Sequence, residues 1–363
     1  MAARQIRVLV VARRPNMAYL TAFRGLFDEG FSGMAAVTGR EAAVFTDRRY
    51  DEQGAAEASG TDWRVVTVHD DLIADVGAWA RERAGFGKAE GRAPARARAG
   101  GVAIEPEVSH RVFSRLAKAI GGELAAAGGV VEELRRTKDD SEIETVREAA
   151  RVTDRALGRA LGQVRPGITE RELAFEVRQA LFQEGSDGVA FEPIVASGPN
   201  GSKPHAHAGG RRLAAGDLVT IDMGARVDGY CADLTRTVAL GRIDEERAAA
   251  YAAVLAAQKA ALAAARPGMT GRELDGVARR SLAEHGLARA FTHGLGHGVG
   301  LEVHELPLIG RRGGRRLRER DVITIEPGVY LPGRFGIRIE DLVVLTRDGV
   351  HNLSGSPKDL IEL

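Results

Sequence analysis

Arg165-Pro166-Gly167-Ile168-Thr169-Glu170-Arg171-Glu172-Leu173 recurs as Arg266-Pro267-Gly268-Met269-Thr270-Gly271-Arg272-Glu273-Leu274. Each copy carries a capping box, Thr169 with Glu172 and Thr270 with Glu273. The threonine hydroxyl accepts from a free backbone N–H at the helix start, and the glutamate returns the bond. Apolar residues follow at helical spacing: Leu173, Val177 and Leu181 in one copy, Leu274, Val277 and Leu282 in the other. The repeat runs on into strands. Asp217-Leu218-Val219-Thr220-Ile221-Asp222-Met223-Gly224 matches Asp321-Val322-Ile323-Thr324-Ile325-Glu326-Pro327-Gly328, and Cys231-Ala232-Asp233-Leu234-Thr235 matches Arg338-Ile339-Glu340-Asp341-Leu342. Asp222 therefore corresponds to Glu326, and Asp233 to Glu340. A turn lies between the acids of each pair, Val227-Asp228-Gly229-Tyr230 in one copy and Pro332-Gly333-Arg334 in the other, so each pair is expected on a hairpin. Two units are too few for a solenoid and imply a pseudo-twofold domain with a site between its halves.

An acid at the end of an apolar strand is costly unless it is paired or bound to metal. Singly, Asp222 and Glu326 read as salt-bridged or exposed carboxylates. Their company changes the reading. Thr292-His293-Gly294-Leu295-Gly296-His297-Gly298-Val299-Gly300-Leu301-Glu302-Val303-His304-Glu305 sets three histidines at spacings of four and seven among four glycines. Imidazoles bind metals or move protons near neutral pH, and glycines let backbone pass close to a ligand. Four carboxylates offset the charge of two divalent cations. Oxygen ligands plus the imidazole of His297 suit Mn²⁺, Co²⁺, Zn²⁺ or Fe²⁺ without selecting among them. Two metals sharing carboxylates can activate a water and polarise a carbonyl.

Residues 1 to about 135 read differently. Ile6–Val11, Ala42–Thr46 and Val65–Val68 read as strands, and Asp71–Glu82 and Ser109–Ile120 as amphipathic helices, which is α/β patterning. Gly128-Gly129 and the charged run Glu132 to Asp140 mark a boundary, after which Ser141–Leu161 reads as a helix. Arg92-Ala93-Pro94-Ala95-Arg96-Ala97-Arg98 and the run Arg311 to Arg320 read as solvated loops. Over all 363 residues the formal net charge is +1, so no global field favours nucleic acid or an anionic membrane. Cys231 is the one cysteine and reads as a small buried residue; no intramolecular disulfide is possible, which fits a reducing, cytoplasmic setting. No apolar run is long enough for a signal peptide or a bilayer span. Neither a P-loop nor a Gly-x-Ser-x-Gly elbow is present.

Asp222, Asp233, His297, Glu326 and Glu340, in that order, resemble the metal-ligand set of the pita-bread metallopeptidases, which include methionine aminopeptidase, aminopeptidase P and prolidase. The resemblance covers nearly the whole chain. Asn16-Met17-Ala18-Tyr19-Leu20-Thr21 and Phe45-Thr46-Asp47-Arg48-Arg49-Tyr50 resemble the creatinase-like N-terminal domain of the proline-specific branch, and Ala196-Ser197-Gly198-Pro199-Asn200-Gly201-Ser202-Lys203-Pro204-His205 resembles that branch's histidine loop. It departs at the start, where the helix expected before the first strand is lacking. The resemblance implies an α/β (α+β) chain: a creatinase-like domain over 1–135, then a pita-bread catalytic domain over 136–363. It implies two divalent ions per chain, Mn²⁺ foremost, with Asp233 and Glu340 bridging, Asp222 completing one sphere, and His297 with Glu326 the other. Glu326 would also be the general acid/base. His205 and His304 would flank the scissile carbonyl, His293 would line the pocket, and Arg338 would orient a ligand carboxylate or bind substrate. A homodimer acting on peptides with proline in second place is implied, with no nucleic acid and no membrane.

Two proline-specific activities share these features. A dipeptidase must bind the free carboxylate directly after proline, and a cation stabilises it. Some prolidases resembling this chain place an arginine just after the His-Glu-x-Pro step; here His304-Glu305-Leu306-Pro307 is followed by Leu308. That favours an Xaa-Pro aminopeptidase over an Xaa-Pro dipeptidase, with Arg311 or Arg312 as substitute cations for the latter. A non-catalytic peptide-binding module and a creatinase-like amidinohydrolase are disfavoured because all five ligand positions are retained.

Overall fold

The computed structural model describes Met1 and residues 4–27, 30–86 and 101–363; the stretch Arg92–Arg98 lies outside the described residues, to which every element count below refers. The chain divides into Met1–Leu134 and Arg135–Leu363.

The first unit is built on a mixed six-stranded sheet. Its elements are β1 (Val8–Val11), α1 (Arg14–Thr21), β2 (Gly33–Val37), β3 (Ala42–Thr46), α2 (Asp51–Ala58), β4 (Trp63–Thr67), α3 (Leu72–Ala84), β5 (Val102–Ile104), α4 (His110–Ile120) and β6 (Leu124–Ala126), in sheet order β4-β3-β2-β1-β5-β6. Every residue of β1 is buried, as its continuous apolar run requires. Apolar clusters cover both faces of the sheet. Asp71 caps α3 and Ser109 caps α4, one residue before each helix. The sequence pattern missed β2, β5 and β6. They are short, β2 and β6 each hold two alanines, a residue with little strand preference, and their partners supply the missing information. The quoted Asn16 is buried and donates to Glu105, whose carboxylate also takes the N–H groups of Ala12 and Arg13 at 2.7 Å.

The second unit carries the repeat. A short helix α5 (Glu132–Arg136) leads into α6 (Asp140–Leu161), then α7 (Glu170–Gln183), α8 (Glu245–Ala264) and α9 (Gly271–Glu284). Both expected capping boxes are formed, at Thr169/Glu172 and Thr270/Glu273. Each half has its own core. Leu173, Val177 and Leu181 of α7 pack with Val219 and Ile221; Leu274 and Leu282 of α9 pack with Ile323 and Ile325. Val277 is only half buried, and Ala278 takes the inward position.

The strands refine the hairpin expectation. They are β7 (Gly188–Val189), β8 (Ile194–Ser197), β9 (Leu218–Met223), β10 (Ala225–Val227), β11 (Tyr230–Cys231), β12 (Leu234–Ala239), β13 (Gly296–Gly298), β14 (Glu305–Ile309), β15 (Val322–Ile325), β16 (Gly328–Leu331), β17 (Phe335–Arg338), β18 (Asp341–Thr346) and β19 (Gly349–Asn352). In one half β9 pairs with β12 and the β10–β11 hairpin lies between them in sequence; in the other, β15 pairs with β18 and β16–β17 lies between. The acids stand where the chain leaves or rejoins the outer pair: Asp222 near the end of β9, Asp233 just before β12, Glu326 just after β15, Glu340 just before β18. Asp228 (φ 47°) and Gly229 (φ 83°) make the tight turn of the first inner hairpin.

The repeat also reaches further than the sequence pattern indicates. Thr169 bridges to Arg212 and Thr270 to Arg316, and Arg212 and Arg316 donate to the carbonyls of Gly167 and Gly268, each at 2.6 Å. Arg320 donates to the Lys138 carbonyl at 2.7 Å. The run Arg311 to Arg320 is therefore not simply a solvated loop, because part of it is the second copy of a structural tie.

Gly296 and Gly298, on either side of His297, are required by packing, and Gly294 and Gly296 also line a cavity of this unit. In the sheet β14-β13-β15-β18-β19, a Cβ on Gly298 would overlap the Leu306 carbonyl oxygen and one on Gly296 that of Thr324. Gly298→Ala is expected to lower stability by about 2 kcal/mol through overpacking against backbone that cannot retreat. Urea unfolding reads this directly, and an unchanged midpoint would show that the sheet can open at that point.

Candidate metal centre and active site

All ten residues singled out in the sequence line one cavity of about 990 Å³ in the second unit: His205, Asp222, Asp233, His293, His297, His304, Leu308, Glu326, Arg338 and Glu340. At its floor, one ligand atom each from Asp233, His297 and Glu340 lie within 4.8 Å of one another. His297 Nε2 is 3.3 Å from Glu326 Oε1 and 3.6 Å from Asp233 Oδ2. Its Nδ1 faces the Gly298 carbonyl at 3.1 Å, which fixes a proton there and turns Nε2 toward the acids; burial opposes charge on the ring, but the hydrogen bond and charge of Glu326 hold its pKa above the ordinary value. Glu340 accepts from the Thr235 hydroxyl at 2.6 Å. Asp222 Oδ2 accepts from Arg338 Nη2 at 2.5 Å, whereas its Oδ1 is buried with no partner in the protein.

The electrostatics follow from burial. Asp222, Asp233 and Glu340 are buried, and Glu326 is mostly so. Desolvation first, then the charges of their neighbours, push the carboxyls of Asp233 and Glu340 well above the ordinary range, and desolvation pushes Asp222 up as well. At Glu326 burial pulls the same way, but the hydrogen bond and charge of His297 outweigh it and hold the carboxyl at about 2. Crowded carboxylates, an orphaned buried acceptor and an imidazole whose Nε2 faces inward fit divalent cations, whose charge would offset the repulsion and displace the imidazole proton.

Arg338 is buried, and four of its hydrogen bonds go to protein: Asp222, the Thr235 hydroxyl at 3.0 Å, Tyr330 OH at 2.9 Å and the Pro204 carbonyl at 3.2 Å. A guanidinium has five N–H donors, so little of it is left for a ligand. Tyr330 passes the connection on: its OH lies 2.9 Å from His293 Nε2, while His293 Nδ1 faces the Gly294 carbonyl at 2.7 Å. Burial lowers the pKa of His293 and keeps the ring neutral. His304 packs edge-on to His297, with ring centroids 4.2 Å apart. Leu308 stands directly opposite His297 in the β13–β14 register and is 47% exposed, so it is a wall of the cavity and not core packing. Arg311 and Arg312 do not line the cavity. Cys231 is buried, and desolvation raises its thiol to about 11, as suits an inert small residue.

The sequence pattern missed the residues that hold these groups. Tyr330 and Thr235 carried no pattern signal. Asp275 and Arg279 of α9 hold the His293 segment: Asp275 accepts from the Leu295 N–H at 3.1 Å, and Arg279 donates to the carbonyls of Phe291, at 2.8 Å, and His293. The His304 loop is held by Glu305, whose carboxylate accepts from the Glu302 N–H at 3.0 Å, from Arg135, and from Lys138 at 3.3 Å. On α7 the exposed face of Arg171, Ala174, Phe175 and Arg178 forms the outer cavity wall with Phe191 and Glu192.

Fold and floor together define a metal-dependent hydrolase of pseudo-twofold architecture. Residues 144–347 match Metallopeptidase family M24, and residues 1–137 match the Creatinase/Prolidase N-terminal domain. Over 232 residues the chain is 42% identical to the Xaa-Pro dipeptidase of Pyrococcus furiosus, covering 64% of this chain and 67% of that one. Among solved structures, the Xaa-Pro dipeptidase from Bacillus anthracis superposes with a TM-score of 0.91 at 33% identity, covering 100% of this chain and 96% of the other. The X-Pro aminopeptidase from Thermotoga maritima superposes at 0.85 with 34% identity, covering 100% and 99%. The chain belongs to metallopeptidase family M24, with the pita-bread fold in its second unit. Among the described residues no helix is long and apolar enough to cross a membrane.

Two outcomes are expected from the buried charges. Divalent cation at a hundred times its Kd should stabilise the chelator-treated protein by about 2.7 kcal/mol, and Asp233→Asn should abolish most of that gain in a thermal-shift titration; a melting point indifferent to chelator and cation would sink the metal assignment. Glu305→Gln removes the negative charge that Arg135 and Lys138 share, a change expected to lower Tm on the order of 10 °C at pH 7. Burial opposes ionisation of Glu305, but the charges of Lys138 and Arg135 hold its pKa low. Its stabilising effect is thus complete above the ordinary glutamate value of about 4.3 and is lost as pH falls through the lowered one. The Tm gap between variant and parent should close in acid and stay open at neutral pH.

Proposed function

We propose that this chain is an Xaa-Pro dipeptidase, a metal-dependent hydrolase that splits the amide between an N-terminal residue and proline. The observation that carries the hydrolase reading is the set of four carboxylates and His297 at the floor of a cavity walled by His205, His293 and His304. Asp222, Asp233, His297, Glu326 and Glu340 would hold two divalent ions, Mn²⁺ foremost. When bound, such ions polarise a carbonyl and lower the pKa of a water. Glu326 takes the proton from the attacking water and returns it to the proline nitrogen as the C–N bond breaks. His205 and His304 stabilise the charge that develops on the carbonyl oxygen. Arg338 orients Asp222 and favours its charged form against burial, a positioning role in place of the substrate contact expected from sequence.

The finer choice moves away from the aminopeptidase reading drawn from Leu308. The Pyrococcus and Bacillus relatives are named dipeptidases. The cation that a free proline carboxylate needs has a candidate elsewhere: Arg171 lines the cavity, and its guanidinium has no ion-pair partner among the described residues, whereas Arg178 is paired with Glu192 at 2.9 Å. The second reading, Xaa-Pro aminopeptidase, is favoured by exposed Leu308 and by a cavity near the top of the roughly 300–1,000 Å³ range of small-molecule sites.

The test is product analysis with Mn²⁺ on Gly-Pro, Gly-Pro-amide and Ala-Pro-Ala. Turnover of Gly-Pro well above that of Ala-Pro-Ala is expected, and the reverse order would establish the aminopeptidase. In Arg171→Ala, kcat/KM for Gly-Pro should fall by about tenfold or more, with a much smaller loss on the amide, which offers no anion. Equal losses on acid and amide would remove Arg171 from the carboxylate site.

A further inference from the structure

One buried carboxylate near the cavity belongs neither to the metal set nor to an ion pair. Glu170, the first residue of α7, is 1% exposed. Its Oε1 accepts from the Ser197 N–H and hydroxyl, both at 2.8 Å; its Oε2 accepts from Asn200 Nδ2 at 2.8 Å and from the Gly209 N–H at 3.3 Å. A carboxylate has about four lone-pair sites, and all are used on donors from a single segment, Ser197 to Gly209. That segment carries His205.

His205 is exposed and has no hydrogen-bond partner of its own among the described residues. Its position is therefore inherited from its loop. Asn200 ties the loop across itself, donating also to the His207 carbonyl at 3.3 Å. From the metal side Arg338 holds the Pro204 carbonyl, one residue before His205. Gly201 lies so close to β17 that a Cβ on Gly336 would overlap its carbonyl. The loop is clamped between Glu170 behind and Arg338 in front. The other half meets the same need from α9, where Asp275 and Arg279 hold the segment of His293.

We propose that Glu170 is a positioning residue for the reaction, fixing the Ser197–Gly209 loop so that His205 faces the scissile carbonyl. The proposal rests on the role given to His205 under the proposed function. A helix-start carboxylate also stabilises α7 through the helix dipole, so the test must separate stability from positioning.

The experiment is a double-mutant cycle on kcat for Gly-Pro in Mn²⁺-loaded enzyme, with metal content measured for each variant. Glu170→Gln keeps one acceptor oxygen but turns an NH₂ group toward Asn200 and Gly209. It should lower kcat about tenfold with metal content unchanged. In a His205→Ala background the same substitution should change kcat less than about twofold, because a loop whose histidine is gone has nothing left to position. Asn200→Ala, which removes one donor and leaves Glu170 its other three, should show a smaller loss with the same dependence on His205. Equal fold losses with and without His205, or no loss in either single variant, would overturn the proposal. If His205→Ala alone leaves kcat unchanged, the role of His205 fails and the proposal falls with it; if His205→Ala is damaging and the losses multiply, only Glu170's assignment fails.

Discussion

Repulsion among four carboxylates is the constraint around which the second unit is arranged. Asp222, Asp233, Glu326 and Glu340 crowd one floor, and among the described residues the guanidinium in contact with them is that of Arg338, hydrogen-bonded to Asp222. Like charges in a low-dielectric interior repel by several kcal/mol per pair, so neither a loop nor a single soft element could hold them. Each half supplies two acids at the points where an outer strand pair opens into an inner hairpin. Each outer pair is backed by its own helix and apolar core, Val219 and Ile221 on α7, Ile323 and Ile325 on α9. Two rigid halves thus press the acids together, and divalent cations would turn the repulsion into attraction.

The histidines are placed by another device. His205, His293 and His304 sit on irregular segments that no strand pairing could fix. A buried polar group anchors each one: Glu170 for the first, Asp275 with Arg279 for the second, Glu305 with Arg135 and Lys138 for the third. Buried ion pairs contribute little net stability because desolvation consumes the Coulomb gain. Geometry is what they supply here. Glu305 adjoins His304 in sequence, so the anchor and the side chain it steadies share one turn of chain.

The legible part of this protein was what periodicity and repetition encode. The capping boxes, the helices α3, α4 and α6, and the correspondence of Asp222 with Glu326 and Asp233 with Glu340 are local patterns written twice or strongly phased. The illegible part was relational. Strands β2, β5 and β6 are too short to declare themselves. That Gly296 and Gly298 are also demanded by packing shows only in the fold, where neighbouring carbonyls fill the space a Cβ would need. Tyr330 links Arg338 to His293 only because the β16–β17 hairpin folds back on itself. The choice between dipeptide and longer peptide turns on cavity residues distant in sequence: Leu308 neighbours the histidine motif, but Arg171 lines the same cavity from α7.

The division of labour between the halves shows where specificity can change without disturbing chemistry. The repeat places Glu170 opposite Gly271, Arg171 opposite Arg272, Ala174 opposite Asp275 and Arg178 opposite Arg279. On α9 the last two positions are spent holding the His293 segment, and Gly271 is pressed against the Leu308 carbonyl so that no side chain fits. On α7 the positions of Ala174 and Arg178 face the cavity, and the side chain that holds the His205 loop from this helix is that of Glu170. Arg171, Phe175 and Arg178 can vary there without touching either an acid of the floor or an anchor of a histidine. The candidate metal ligands thus come in pairs from the symmetric part of the fold, and the cavity wall proposed to recognise the group beyond proline from the part where the symmetry is broken.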